Sequence, residues 1–146
     1  CELHVVGDGE LRDRLESEAS GIKGVRFYGK IYSDEEISRI ANECIVGVHA
    51  GSAGLSVVHY MSLSLVPIVH NEISRHMGPE PSYIQDNQNG LIFDYAVPDS
   101  LQLTLMKAFS DKDRLYEISN AAFKTYQQLN DPDLGDKLIQ ILGETC

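Results

Sequence analysis

Short runs of apolar and β-branched residues alternate along this chain with stretches whose apolar positions recur every three or four residues. Leu3-His4-Val5-Val6 reads as a strand and Gly7-Asp8-Gly9 as a turn. Leu11, Leu15, Ala19 and Ile22 then follow at helical spacing. Val25-Arg26-Phe27-Tyr28 predicts a second strand. Ser33-Asp34-Glu35-Glu36 has the form of a capping box, with Ser33 at the N-cap, and the helix it opens turns Ile37, Ile40 and Ala41 inward. Residues 44–48 are continuously apolar, which suits a central parallel strand covered on both faces. After Gly51-Ser52-Ala53-Gly54 comes a helix through Leu55, Val58, His59 and Ser62. Val66-Pro67-Ile68-Val69 predicts a fourth strand, where Pro67 indicates a strand start or an edge because it has no N–H for a ladder. Residues 71–78 are polar and loop-like, and Pro79-Glu80 suits the opening of a short helix. Residues 86–90 read as a turn before a fifth strand, Leu91-Ile92-Phe93.

Beyond Pro98 the pattern is helical. Leu101, Leu105, Ala108 and Phe109 form one apolar stripe. Leu115, Ile118, Ala122, Tyr126 and Leu129 form a second, and Leu134, Leu138, Ile141 and Leu142 a third. Strands alternating with helices predict an α/β fold, a Rossmann-like three-layer sandwich with a central parallel sheet and a helical C-terminal tail. The tail is expected to pack on one face or to reach toward a partner domain.

Composition narrows the function classes. A length of 146 residues suits one domain, expected to span residues 1–146, with a core that needs no staples. The net charge of -10 argues against nonspecific binding to nucleic acid or anionic lipid. An anion bound by so acidic a chain must be met by backbone dipoles or a few well-placed bases. Cys1, Cys44 and Cys146 form no CxxC or His/Cys cluster, so they are read as thiols in a reducing compartment, with no metal site. No run approaches the roughly 20 apolar residues of a membrane span, and no signal peptide is visible. The start at Cys1, directly in a strand-like run, leads to the expectation of a fragment.

Ligands of doubly wound sheets bind outside the carboxyl ends of the strands, and here those ends carry the glycines: Gly7 and Gly9, Gly29, Gly51 and Gly54, and Gly78. The 51–54 loop is the best single phosphate candidate. Its small residues leave the following N–H groups open to an anion, and Ser52 offers a hydroxyl; a tight strand–helix turn without ligand accounts for the same residues equally well. His59, placed on the buried-side stripe, is either a satisfied core histidine or a partner for a ligand hydroxyl. Glu80 is a carboxylate at a helix start, where the dipole alone stabilises it. His70, Arg75 and His76 could supply local positive charge, or simply be solvated. There is no Ser-His-Asp arrangement, metal motif, Walker loop or GxGxxG pattern. The residues themselves therefore lead to an α/β nucleotide- or phosphate-binding domain without a reaction.

The order of the segments resembles the C-terminal domain of retaining glycosyltransferases with the GT-B fold, the group 1 family. Four stretches carry the likeness. Leu3-His4-Val5-Val6-Gly7-Asp8-Gly9-Glu10 is similar to that family's strand and glycine loop. Val25-Arg26-Phe27-Tyr28-Gly29 with Ser33-Asp34-Glu35-Glu36, Gly54-Leu55-Ser56-Val57-Val58-His59-Tyr60-Met61, and Asn89-Gly90-Leu91-Ile92-Phe93 follow in the family's order. The resemblance covers residues 2 to 110 or so.

It implies that Gly7, Gly9 and Glu10, with Phe27, Tyr28 and Gly29, line a base and ribose pocket. It also implies that Gly51, Ser52, Ala53, Gly54 and Leu55 meet the diphosphate and sugar of a nucleotide-sugar donor. The family often has two glutamates seven residues apart; Gly51 and His59 stand there instead, so His59 becomes the ribose partner and Gly51 leaves the sugar contact without a side chain. Ser64 stands where a glycine is common, and the 59–67 segment is one residue longer than usual. The family generally needs no bound metal, and no cofactor is expected.

The family's first C-domain strand, with its diphosphate-clamping arginine and lysine, and its N-terminal acceptor domain would precede Cys1. The fragment alone is therefore expected to bind donor weakly and to transfer nothing. What the resemblance implies is sugar transfer to a glycan or lipid-linked acceptor in cell-surface polysaccharide synthesis, in the cytoplasm, with peripheral membrane association of the whole protein. A nucleotide-sugar 2-epimerase on the same fold and a non-catalytic interaction module are the alternatives. Catalytic residues stay unassigned.

Overall fold

The computed structural model describes residues 1–143; Cys146 and the side chain of Leu134 lie outside them. The chain forms two compact units, Cys1–Glu43 and Cys44–Cys146. All strand pairs are parallel and strands alternate with helices until the C-terminal helices, the α/β order that the apolar pattern predicts. Among the described residues no disulfide forms.

The first unit is one βαβα segment: β1 Leu3–Val6, α1 Arg12–Glu18, β2 Val25–Gly29 and α2 Asp34–Ala41. β1 and β2 pair in parallel with an irregularity between Val5 and Val6, so that Val6 faces Gly29. Ser33 caps α2 as expected, its Oγ accepting from the Glu36 N–H at 3.3 Å, and Ile40 and Ala41 turn inward. The apolar positions of α1 do not build a packed interior: Leu11, Leu15 and Ile22 are all exposed.

The second unit carries β3 Val46–Val48, α3 Ser56–Ser62, β4 Val66–His70, β5 Leu91–Phe93, α4 Ser100–Ser110, α5 Lys112–Leu129 and α6 Leu134–Gly143. Short 3-10 turns at Ile73–Arg75 and Glu80–Tyr83 interrupt the loop after β4. The strand order is β3-β4-β5. Residues 44–48, expected to be the central strand, supply only three residues at the edge of this sheet, and only Gly47 of β3 is buried. The centre is β4, every residue of which is buried.

Pro67 therefore sits in a central strand, against expectation, and the register explains why it is tolerated. In a parallel ladder alternate residues bond to alternate sides. The Val66 N–H donates to the Ile45 carbonyl, and the Ile68 carbonyl accepts from His49, so residues 66 and 68 face β3. Pro67 faces β5, and that ladder begins one residue later, with Ile68 opposite Leu91. No ladder donor is lost. Gly90 closes the gap, since a Cβ there would lie 2.8 Å from Ile84 and 3.0 Å from the proline ring.

β4 divides the core by its period of two. Val66 and Ile68 join Leu91, Phe93, Leu115 and Ile118 on one face, backed by Leu101, Leu105, Ala108 and Phe109 of α4. Val69 joins Ala53, Val57, Met61, Ile84 and Ala122 on the other. Helices thus cover both faces of this sheet. The first tail stripe and most of the second pack as expected. Leu129 is exposed, as are Leu138, Ile141 and Leu142 of the third. In α3 the buried positions are Val57 and Met61, while Leu55 and His59 are exposed. The expected inward stripe is displaced because Ala53, Val57 and Met61, four apart, are the residues that meet Val69 and Ala122.

Candidate functional site

In the first unit the β1–α1 turn opens a cavity of about 220 Å³. Gly7, Asp8 and Gly9 of the turn line it together with the apolar Val5, Phe27, Leu11 and Leu15. Gly7 has φ +135°, a conformation that favours glycine, and its N–H donates to the Gly29 carbonyl at 2.7 Å. Arg12 also lines the cavity. Its guanidinium lies across Gly29, where a Cβ would come within 2.7 Å of Nη1; Gly29 itself has φ +71°. Nε of Arg12 donates to Glu16 at 2.8 Å, and this bond, then the Glu16 charge, raises the guanidinium above its ordinary value.

The other predicted residues of this unit lie apart from the cavity. Tyr28 is on the face of β2 opposite Phe27, where its hydroxyl meets His4 Nδ1 at 2.8 Å and the rings stack. Glu10 is exposed in the turn. Glu2, His4 and Glu43 bring ligand atoms within 4.8 Å of one another. Arg26 already pairs with both carboxylates, at 2.9 and 3.8 Å, so the group is an ion-pair network.

In the second unit the 51–54 loop runs from β3 toward α3. Gly51, Ser52 and Leu55 are exposed and Ala53 is fully buried. Gly47 and Tyr60 set how α3 rests on β3: the Tyr60 ring occupies the space of a Gly47 Cβ, 2.5 Å away, and its hydroxyl donates to the Val48 carbonyl at 3.3 Å. Burial raises the Tyr60 phenol above its ordinary value.

Ala53 is held from both sides. Its N–H donates to Nδ1 of His76 at 3.1 Å, and its carbonyl accepts from the Met77 N–H at 2.8 Å. Nε2–H of His76 in turn donates to the His70 carbonyl at 3.0 Å. Ser52, Gly54 and Leu55 keep N–H groups with no acceptor among the described residues. Across the loop, Glu80 Oε2 and Ser56 Oγ are buried without a hydrogen-bond partner. Oε2 lies 3.9 Å from where a Gly54 Cβ would be, and the Glu80 carboxylate fills the position of a Gly78 Cβ.

The histidines expected to supply positive charge do something else. His70 is 1% exposed, stacks on His76 with ring centroids 4.0 Å apart, and accepts the Glu72 N–H at Nδ1. Burial first, then His76, lowers its imidazole below the ordinary value, against weaker opposing effects that include a backbone hydrogen bond with Gly51. Burial and His76 lower His49 as well. An Nδ1 that accepts an amide proton carries none itself, so His76 meets Ala53 as a neutral ring. Arg75 carries the local charge, its guanidinium 4.8 Å from the centroid of the Tyr95 ring.

Sequence reasoning overlooked Arg12 and underread the two histidines. A hint was available for the latter: His49 follows β3, His70 ends β4 and His76 lies in the loop after it, and the α/β order places the carboxyl ends of parallel strands along one edge of a sheet.

Comparison with known proteins relates this geometry to others. The family model for glycosyl transferases group 1 matches residues 1–125. Curated proteins gave no sequence match. Among solved structures, the C-terminal domain of LpcC, a glycosyl transferase group 1 family protein from Francisella tularensis, aligns over 80% of this chain and 58% of its own, with 19% identity and TM-score 0.61. A glycosyltransferase from Rickettsia africae aligns over 98% of this chain and 39% of its own, with 17% identity and TM-score 0.74. Alr3699/HepE of Anabaena, solved with UDP and glucose, aligns over 99% and 40%, with 16% identity and TM-score 0.73. The chain thus spans less than two thirds of each of these relatives. They share its Rossmann-like α/β fold, and no helix among the described residues is long and apolar enough to cross a membrane. With 125 of its 146 residues matched by the family model, the chain belongs to the group 1 glycosyl transferases.

Proposed function

We propose that this chain is the donor-binding domain, residues 1–146, of a two-domain glycosyltransferase, which transfers a sugar from a nucleotide diphosphate sugar to a glycan or lipid-linked acceptor. The observation that carries the reading is the 51–55 loop, with Ala53 pinned and the N–H groups of Ser52, Gly54 and Leu55 unused among the described residues. Such N–H groups are preorganised donors for a leaving diphosphate, and they stabilise its developing charge without reorganising during the reaction. They also suit a chain of net charge -10, because backbone dipoles attract an anion without spending side-chain charge. The cavity at Gly7 and Gly9 is, at about 220 Å³, small for a whole donor and suited to one flat ring, with Phe27 as an aromatic surface and Arg12 at its side. HepE, with the same fold, is solved with UDP and glucose, which favours a nucleotide sugar over other phosphates. Work on cell-surface polysaccharide, in the cytoplasm and against the membrane through a further domain, completes the proposal.

Calorimetric titration of the protein with UDP, GDP and ADP tests it. One nucleotide is expected to bind selectively. Gly54→Asp abolishes binding, because it adds a second carboxylate beside Glu80 and in the path of the phosphates. His59→Ala weakens it severalfold, its exposed imidazole being the partner for a ribose hydroxyl. Folded protein that binds none of the three overturns the reading in favour of an interaction module.

A further inference from the structure

The loop proposed to hold a diphosphate has Ala53 as its buried residue, held there by His76 and by the Met77 N–H. A loop with glycine at both ends is flexible unless its backbone is tied down, and a site loose by an ångström loses much of its value. His76 ties this one at Ala53, whose N–H it takes at 3.1 Å, and His70 stacks behind the His76 ring. The two rings stack, and Nε2–H of His76 donates to the His70 carbonyl, so the pair is one rigid piece anchored in the central strand β4. Phe93 meets the His70 ring edge-on and Tyr95 lies 4.9 Å from it, which fixes the ring from the β5 side.

We infer that His76, backed by His70, is a positioning residue: it holds the 51–54 loop by the Ala53 N–H so that the neighbouring N–H groups point outward together. The inference rests on the donor reading of that loop. It also carries a protonation requirement. Nδ1 of His76 must keep its lone pair, since a proton there sets donor against donor at Ala53. The titratable groups that face the pair are His49, Glu72, Arg75 and Tyr95.

Two variants separate the possibilities. His76→Phe keeps a ring against His70 and removes both hydrogen bonds. His76→Asn retains an acceptor near the position of Nδ1. Amide hydrogen exchange at Ala53, with Val69 as the internal standard for the core, reads the loop directly. Titration with the nucleotide selected above reads the consequence.

Exchange at Ala53 is expected to accelerate in His76→Phe with Val69 unchanged, and nucleotide affinity to fall about three- to tenfold. His76→Asn restores most of both. Unchanged exchange at Ala53 in His76→Phe overturns the inference whatever the nucleotide does. Faster exchange with unaltered affinity overturns the positioning role. If the unmodified protein binds no nucleotide, the donor reading fails, while exchange at Ala53 still decides whether the histidine pair holds the loop.

Discussion

The two compact units hold their glycine loops by different means. In Cys1–Glu43 the large apolar side chains Leu3, Val6, Leu11, Leu15 and Ile22 are exposed, and the turn after β1 is flanked by an ionic network of Asp8, Arg12 and Glu16. In the unit that begins at Cys44, β4 is buried throughout, two apolar clusters fill its faces, and the 51–54 loop is bonded to His76, which stacks on the buried His70. Exposed ion pairs contribute little and are screened by salt, whereas buried apolar contacts and satisfied buried hydrogen bonds are costly to disturb. The difference teaches that the 51–54 loop is the more firmly packed element and the turn after β1 the more compliant one. Each responds to a different perturbation.

Truncation gives the largest contrast. Met61→Ala, at a position with no exposure, is expected to cost about 2–5 kcal/mol in denaturant unfolding. Leu15→Ala, 45% exposed on α1, should cost under about 1 kcal/mol. Equal losses would erase the distinction between the units.

Acid should act next, and on the second unit. His70 and His49 are held below the ordinary histidine value of 6.5, mainly by burial. As pH falls through that value the unfolded chain takes up protons that the folded imidazoles refuse. Stability is therefore constant above this range and lost below it, until the folded histidines also titrate. Urea unfolding at a series of pH values checks this, and a curve flat between about pH 7 and pH 5 would contradict the lowering of these two imidazoles.

Salt should give the smallest effect, and on the first unit. Raising sodium chloride to about 1 M shortens the screening length to about 3 Å. Amide protection is then expected to fall in β1 and β2, where Arg26 joins Glu2 and Glu43, and to hold in β4. Equal change in both strand sets would mean that the ion pairs are incidental.

Local pattern was a good guide wherever local forces decide. The strands at Leu3–Val6, Val66–His70 and Leu91–Phe93 lie where the apolar runs place them, and Ser33 caps α2 because the cap needs only residues three apart. The turn over residues 86–90 also forms, with Asn89 buried and bonded to Gln85, Tyr83 and Thr125. Ser64 is a subtler case. It stands where glycine is common in the family it resembles, and it adopts φ +56°, the left-handed conformation glycine favours, with its carbonyl taking a 2.6 Å hydrogen bond from Ser119.

Pattern misled where a choice depended on distant partners. Periodicity alone placed Leu55 and His59 inward, but Val69 and Ala122 lie against Val57 and Met61. Pro67 argued for an edge, and only the register against β5 showed that its missing donor falls outside the ladder.

By itself, then, the sequence determined the alternation of strands and helices, the parallel α/β class and the glycine-bearing loops at strand ends, because these follow from side-chain periodicity and backbone freedom within a few residues. Only the tertiary structure decided which strand is central, which face of α3 is buried, and what His70 and His76 do. His76 lies 23 residues from Ala53 along the chain, and the single hydrogen bond that defines its role exists only once β4 and the loop have packed together.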